Sequence, residues 1–241
     1  MIKAIEEDNS DISWKSVIYN APRGLLSFAT RAVTNTLATP ENLARWGKIV
    51  SPKCIQCGHT PCNLGHLLNM CPVALTQGRY TSRHDRILKY WIDNNNCGNE
   101  VKIYADIEGH KTHGGTIPPS VLITQQRPDL VIHSPDNITI VELTVPFDTN
   151  SGIEAARVRK TSRYSNLECD LIEQGLTCDV IYVEIGSRGL ITKSNKQSMT
   201  FLGRKLGITK ISNFIAMSGR TALEGSRIIF NARNSPHYGE M

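Results

Sequence analysis

Hydrophobic spacing along the chain switches between two periods, and the switches mark its elements. Residues Leu25 to Leu37 and Arg79 to Asn94 read as helices, the second carrying Ile87, Leu88, Trp91 and Ile92 on one face until Asn94-Asn95-Asn96-Cys97-Gly98 ends it. Between them Thr39 can cap a short helix that has Pro40 at its first position. Val101 to Ile107 then alternates, with Val101, Ile103, Ala105 and Ile107 against Lys102, Tyr104 and Asp106, as a strand should. Leu130-Val131-Ile132 and Ile138-Thr139-Ile140-Val141 flank the turn Ser134-Pro135-Asp136-Asn137 and predict a hairpin. The helical period returns from Ile153 to Gly175, where Ile153, Ala156, Lys160, Tyr164 (or Arg163), Leu167 and Leu171 form one stripe. Cys178 to Ile185 is a further strand, Gly186 to Gly189 a turn, and two or three helices finish the chain. Residues 1 to 12, polar and acidic, are expected to fray, and Glu108 to Gln126 is expected to be a loop holding His110 and His113. The order helix, strand, strand, strand, helix, strand, helix predicts a mixed α/β layered domain.

The hairpin changes the picture from fold to chemistry. Asp129 stands just before its first strand and Glu142 at the end of its second, twelve residues lying between them. An acid among Val and Ile must meet a partner or leave the core, and a divalent cation is the obvious partner. Lys160 falls within the apolar stripe that should face the sheet. Two acids and a lysine at one sheet edge are the chemistry of a metal-dependent phosphodiesterase, with hard carboxylate oxygens suited to Mg2+ or Mn2+ and the Leu143 carbonyl as an extra ligand. Asp85 and Asp106 compete for the place of a third acid; Asp85 equally suits a helix N-terminus.

Composition adds a second metal. Of seven cysteines, four (Cys54, Cys57, Cys62, Cys71) fall within 18 residues, which in a reducing compartment reads as a metal site. Cys54, Cys57, His66 and Cys71 can close a tetrahedral Zn2+ shell, with His59 and Cys62 as rival ligands. Cys97, Cys169 and Cys178 are read as ordinary thiols. The 241 residues leave room for one substantial domain plus a small module. No run of apolar residues approaches a membrane span, and the first thirty residues lack a secretory signal, so an intracellular soluble protein is expected. Residues 101 to 150 carry three basic and six acidic side chains, and 201 to 241 six basic and two acidic. An acidic centre with basic flanks suits a metal-holding site beside a polyanion.

Four motifs in order, Cys54-x2-Cys57-x8-His66-x4-Cys71, Arg83-His84-Asp85, Arg127-Pro128-Asp129-x12-Glu142 and Lys160-x2-Arg163-Tyr164-x2-Leu167, resemble the restriction-like endonuclease region of site-specific non-LTR retrotransposon polyproteins. The lead-in through Thr36-Leu37-Ala38-Thr39-Pro40 to Arg45-Trp46-Gly47-Lys48 is similar to the linker that joins reverse transcriptase to endonuclease there, so the resemblance covers nearly the whole chain. It implies a PD-(D/E)-x-K nuclease core with a small zinc knuckle, divided as a helical linker (1–50), a knuckle (51–75) and a nuclease domain (76–241). Asp129, Glu142, Lys160, Arg163 and Asp85 would be catalytic, and Arg83, His84, Arg127 and Tyr164 would touch DNA. The superfamily's usual lysine lies two residues after the second acid, where this chain has Thr144; retrotransposon members are similar in moving it onto the next helix, hence Lys160. A second lysine of the family is Arg163 here, which leaves the division of labour between the two open. The implied activity is Mg2+-dependent nicking of double-stranded DNA in the nucleus to prime reverse transcription, with element RNA and the reverse transcriptase domain of the same polyprotein as further partners and no membrane. The alternative is a non-catalytic, nucleic-acid-binding remnant or a domesticated retrotransposon fragment. No reverse transcriptase motif occurs in the chain.

Overall fold

A computed structural model describes residues 1–8, 12–107, 119–120, 123–173, 175 and 177–237, with the side chains of residues 4, 8 and 163–166 outside that description. Strands β1 (Lys102–Ala105), β2 (Leu130–Ser134), β3 (Asn137–Thr144) and β4 (Cys178–Glu184) form one sheet in that spatial order. The first two pairings are antiparallel and β3 with β4 is parallel, so the sheet is mixed. A parallel partner requires a crossover, and the helix that the stripe predicted, α6 (Asn150–Glu173), supplies it. Ser134 pairs with Asn137 and Leu130 with Val141, which sets Asp129 and Glu142 opposite each other one step beyond the ladder.

Both faces of the sheet are covered. On one, Val141, Leu143, Ile181 and Val183 pack with Ile87, Leu88 and Trp91 of α5 (Arg79–Asp93), Met199 and Leu202 of α7 (Lys193–Lys205), and Phe214 of α8 (Ile211–Asn231). On the other, Val131, Ile138 and Ile140 meet Leu167 and Leu171 of α6. This is why β3 reads as an almost unbroken apolar run. Glu142 alternates onto the α6 face with Ile138 and Ile140, and there the Lys160 stripe finds it.

The first strand is shorter than Val101 to Ile107: its paired register ends at Ala105 opposite Leu130, one further bond running from the Asp106 N–H to the Asp129 carbonyl at 3.1 Å, while the Asp106 side chain pairs with Arg127 at 3.0 Å. Residues 1–8 are not frayed: α1 (Ile2–Asp8) lays Met1 and Ile5 against Ile153 and Leu190. Helix α2 (Leu25–Val33) stops short of Leu37, with Asn35 in the left-handed region at φ 55°. Thr39 does cap α3 (Pro40–Arg45), accepting from the Asn42 N–H at 3.2 Å. A wide π turn (His66–Met70) and α4 (Pro72–Thr76) follow the first cysteines.

One core joins these N-terminal pieces to the last helix. Leu25 and Phe28 of α2, Leu64, Leu67 and Leu68, and three buried cysteines pack with Leu223, Ile229 and Phe230 of α8. Two hydrogen bonds tie the same segment to the sheet and to α5: Asn69 Nδ2 donates to the Val145 carbonyl at 2.7 Å, and the Cys71 N–H donates to the Tyr80 hydroxyl at 3.0 Å.

Beyond β3, Asp148 is fully buried and accepts from the Arg188 N–H (2.8 Å), Arg188 Nε (3.2 Å), Ser187 Oγ (3.2 Å) and the Leu190 N–H (3.1 Å). A buried carboxylate is tolerable only when its lone pairs are met in this way. Neither glycine of the turn has room for a side chain: a Cβ on Gly186 would sit 2.0 Å from Asp148 Oδ1, and Gly189, at φ +80°, would place one 2.4 Å from Trp14.

Candidate functional site

At the end of the hairpin, Lys160 Nζ lies 3.0 Å from Asp129 Oδ2 and 2.5 Å from Glu142 Oε2. The acids are also held by backbone: the Leu143 N–H donates to Asp129 Oδ2 at 2.8 Å and the Asp129 N–H to Glu142 Oε1 at 3.2 Å. Within a strand the N–H and C=O of one residue point to the same side, so the Leu143 carbonyl also faces Asp129. His84 adds a fourth group, with Nε2 3.3 Å from Asp129 Oδ2 and Nδ1 3.0 Å from Asp85 Oδ1. Asp85 therefore reaches the pair through His84, while Asp106 is turned to Arg127.

Charge is concentrated here and the protonation states diverge. Burial raises the Asp129 carboxyl, but His84 and Lys160 outweigh it and hold it well below the usual carboxylate range. Glu142, whose side chain is 0 % exposed, is pushed up to about 8 by burial and by the Asp129 charge, despite Lys160. Two carboxylates that share a site cannot both ionise freely. Burial disfavours the His84 imidazolium, yet bonds to Asp129 and Asp85 raise it to about 9. Burial opposes the Lys160 charge as well, and the two acids more than restore it.

Not every expected residue stands here. Arg83 does not face a phosphate: it is 2 % exposed, and its guanidinium donates to Ser226 Oγ at 3.0 Å and the Val145 carbonyl at 3.3 Å. The cause is a neighbour 142 positions away, Gly225, where a Cβ would approach Arg83 Cγ to 2.6 Å. Arg127 is exposed beside Asp106. The side chains of Arg163 and Tyr164, and all of His110 and His113, lie outside the described residues. The sequence reading missed a second ion pair one turn before Lys160, in which Arg157 meets the buried Glu184 of β4 at 3.0 Å. Its signal was present: an acid at the end of an apolar strand and an arginine three residues before the stripe lysine.

Does the acid pair suit a divalent cation? Both carboxylates already converge on one positive charge, the Lys160 ammonium. Two residues beyond Glu142 on the same face, Thr144 Oγ1 is buried without a hydrogen-bond partner, and such atoms ordinarily bond a water or ligand. The donors gathered here are hard oxygens, the ligand type that hard divalent cations take, and the Lys160 ammonium stands between the two carboxylates.

The cysteine segment forms a second centre. The ligand atoms of Cys54, Cys57, His66 and Cys71 lie within 4.8 Å of one another. Cys57 Sγ and His66 Nε2 are 3.3 Å apart, close to the roughly 3.6 Å edge of a tetrahedral zinc site. A tight turn presents the first two thiols, with the Gly58 N–H bonded to the Cys54 carbonyl at 2.9 Å. Burial raises Cys54, but N–H groups of Cys57 and Gln56 reverse the shift and favour its thiolate. Burial lowers His66, leaving the neutral imidazole a metal needs. This group of three cysteines and one histidine can hold zinc. Of the rivals, His59 stacks on the His66 ring at 4.4 Å, and Cys62 is a buried thiol raised by burial and by Cys54. Among the described residues no helix is long and apolar enough to cross a membrane. Compared with known proteins, the chain matches no family model and no curated protein.

Proposed function

We propose that the protein is a metal-dependent DNA endonuclease of the PD-(D/E)-x-K type that nicks duplex DNA, and that the nick primes reverse transcription of a retrotransposon. The observation that carries the reading is the convergence of Asp129 and Glu142, from opposite strands of one hairpin, on Lys160 of the following helix. Asp129, Glu142 and the Leu143 carbonyl would hold Mg2+, which supplies Lewis-acid stabilisation of phosphoryl charge and a more acidic water. Lys160, released from part of its ion pairing, orients the attacking water or meets the non-bridging oxygen on which charge grows. His84 holds Asp129 in register, and Asp85 holds His84. Arg127 is the exposed cation nearest the hairpin in sequence and meets the DNA backbone. A zinc knuckle at Cys54, Cys57, His66 and Cys71 would pin the turns of this segment within the core it shares with α8.

The test is nicking of supercoiled plasmid with and without Mg2+. Asp129→Ala and Glu142→Ala should each abolish it while duplex binding persists. Parent-rate nicking by the double variant would refute the assignment, and no nicking by the parent chain with binding intact would favour the non-catalytic remnant.

A further inference from the structure

Helix α7 carries four basic residues, Lys193, Lys196, Arg204 and Lys205, and no acidic one; of these Lys205 is paired with Asp179 of β4 at 2.7 Å. Its buried side, Asn195, Met199, Leu202 and Gly203, turns the rest outward. On that outer side Phe201 is 40 % exposed, with Lys205 Nζ 5.1 Å from its ring centroid. Phe201 is shared by two adjoining cavities of about 340 Å3 each. One is bounded by Lys196, Thr200 and Arg204; the other runs between α7 and α6 past Arg157, Thr161, Tyr182 and Gln197.

The floor of the second cavity is β4, which among the described residues is an edge strand paired only with β3. Thr177 and Ile185 direct their backbone bonds to β3, so by alternation Val180 and Tyr182 turn their N–H and C=O groups outward. The outward N–H of Glu184 is met by Asn195 Oδ1 at 2.7 Å, in keeping with that alternation. An exposed aromatic ring, flanking cations and outward backbone donors and acceptors form the combination that takes unpaired bases and their phosphates. A duplex keeps its bases stacked on each other and offers no face to Phe201.

We infer that the groove between α6 and α7, centred on Phe201, binds single-stranded nucleic acid. Binding stands on the residues above; its use, to hold the strand freed beside the cut or the RNA to be copied, rests on the nuclease reading. Arg157 and Lys160 lie three residues apart on α6, which puts the groove next to the acid pair.

The test is fluorescence anisotropy of the full chain with a labelled thymidine oligonucleotide, a uridine oligonucleotide and a duplex of equal length, without added divalent cation. Phe201→Ala should weaken single-strand binding by about 5- to 150-fold, the range set by one stacked base. Lys196→Gln with Arg204→Gln should weaken it and flatten the salt dependence by about 1.4 in the log–log slope. The ratio of thymidine to uridine affinity tells a DNA strand from an RNA. Unchanged affinity in both variants, or equal sensitivity of duplex binding to Phe201→Ala, overturns the inference. So does polyglutamate that competes fully and loses affinity in the same variants, since an acidic peptide would then be the occupant. Because no cutting is read, failure here is distinct from failure of the nuclease assignment.

Discussion

Lys160→Met removes one charge and keeps most of the side chain. In the parent that charge sits 3.0 Å from Asp129 and 2.5 Å from Glu142, side chains 16 % and 0 % exposed. Removing one partner of a buried ion pair costs about 3 to 5 kcal/mol, because the partner keeps its desolvation and loses its compensation. Glu142 can relieve part of this by keeping a proton, so the low end, about 3 kcal/mol, is expected. With a urea slope of about 2 to 3 kcal/mol per molar, the unfolding midpoint should fall by about 1 M or more. Millimolar Mg2+ should recover more stability in the variant than in the parent, where the cation must compete with the ammonium. In single-turnover cleavage the variant should be about a hundredfold slower or worse, with little change in DNA dissociation constant. A midpoint shift below about 0.3 M, the effect of an ordinary surface substitution, would refute the electrostatic account of this site. Binding weakened as much as cleavage, with Arg163→Ala stopping cleavage alone, would exchange the roles of the two residues.

Metal analysis should find one zinc per chain, lost on His66→Ala and kept on His59→Ala; the reverse pattern would show that the stacked partner is the ligand. Asp148→Asn should destabilise the fold by about 3 kcal/mol or more in chemical denaturation, since Arg188 would remain buried without its anion. Without divalent cation, His84 contributes stability that is fully present below its ordinary 6.5 and lost as pH rises through about 9, because its folded value is the higher one. Urea midpoints across that window should fall in the parent, and fall less in His84→Gln; equal falls would remove His84 from the network.

Much of this was legible in the sequence because it is local. The hairpin and the crossover helix follow from periods of two and 3.6, and Lys160 meets Glu142 because it is polar within an apolar stripe. What escaped was decided by distant partners. Arg83 looks like an exposed cation at a helix start until Gly225 of α8 closes over it. Asp148 resembles an ordinary loop acid, yet its buried position depends on Arg188, forty residues on. Residues 2–8 look too polar to order, but their few apolar side chains find Ile153 and Leu190. By sequence His84 reads as a DNA contact, whereas its position between Asp129 and Asp85 depends on how α5 meets the end of β2.

The shared core between the cysteine segment and α8 bears on how the protein can be dissected. The Val145 carbonyl, three residues after Glu142, receives bonds from both Asn69 and Arg83, and Tyr80, four residues before His84, holds the backbone of Cys71. Cutting the chain after Thr76 would strip the Asn69 and Cys71 anchors from both walls of the acid pair and bare Leu223, Ile229 and Phe230 to water. The smallest fragment able to keep the carboxylates in register thus spans the cysteines through α8, and deletion mapping inside it reports a dismantled frame instead of a missing catalyst.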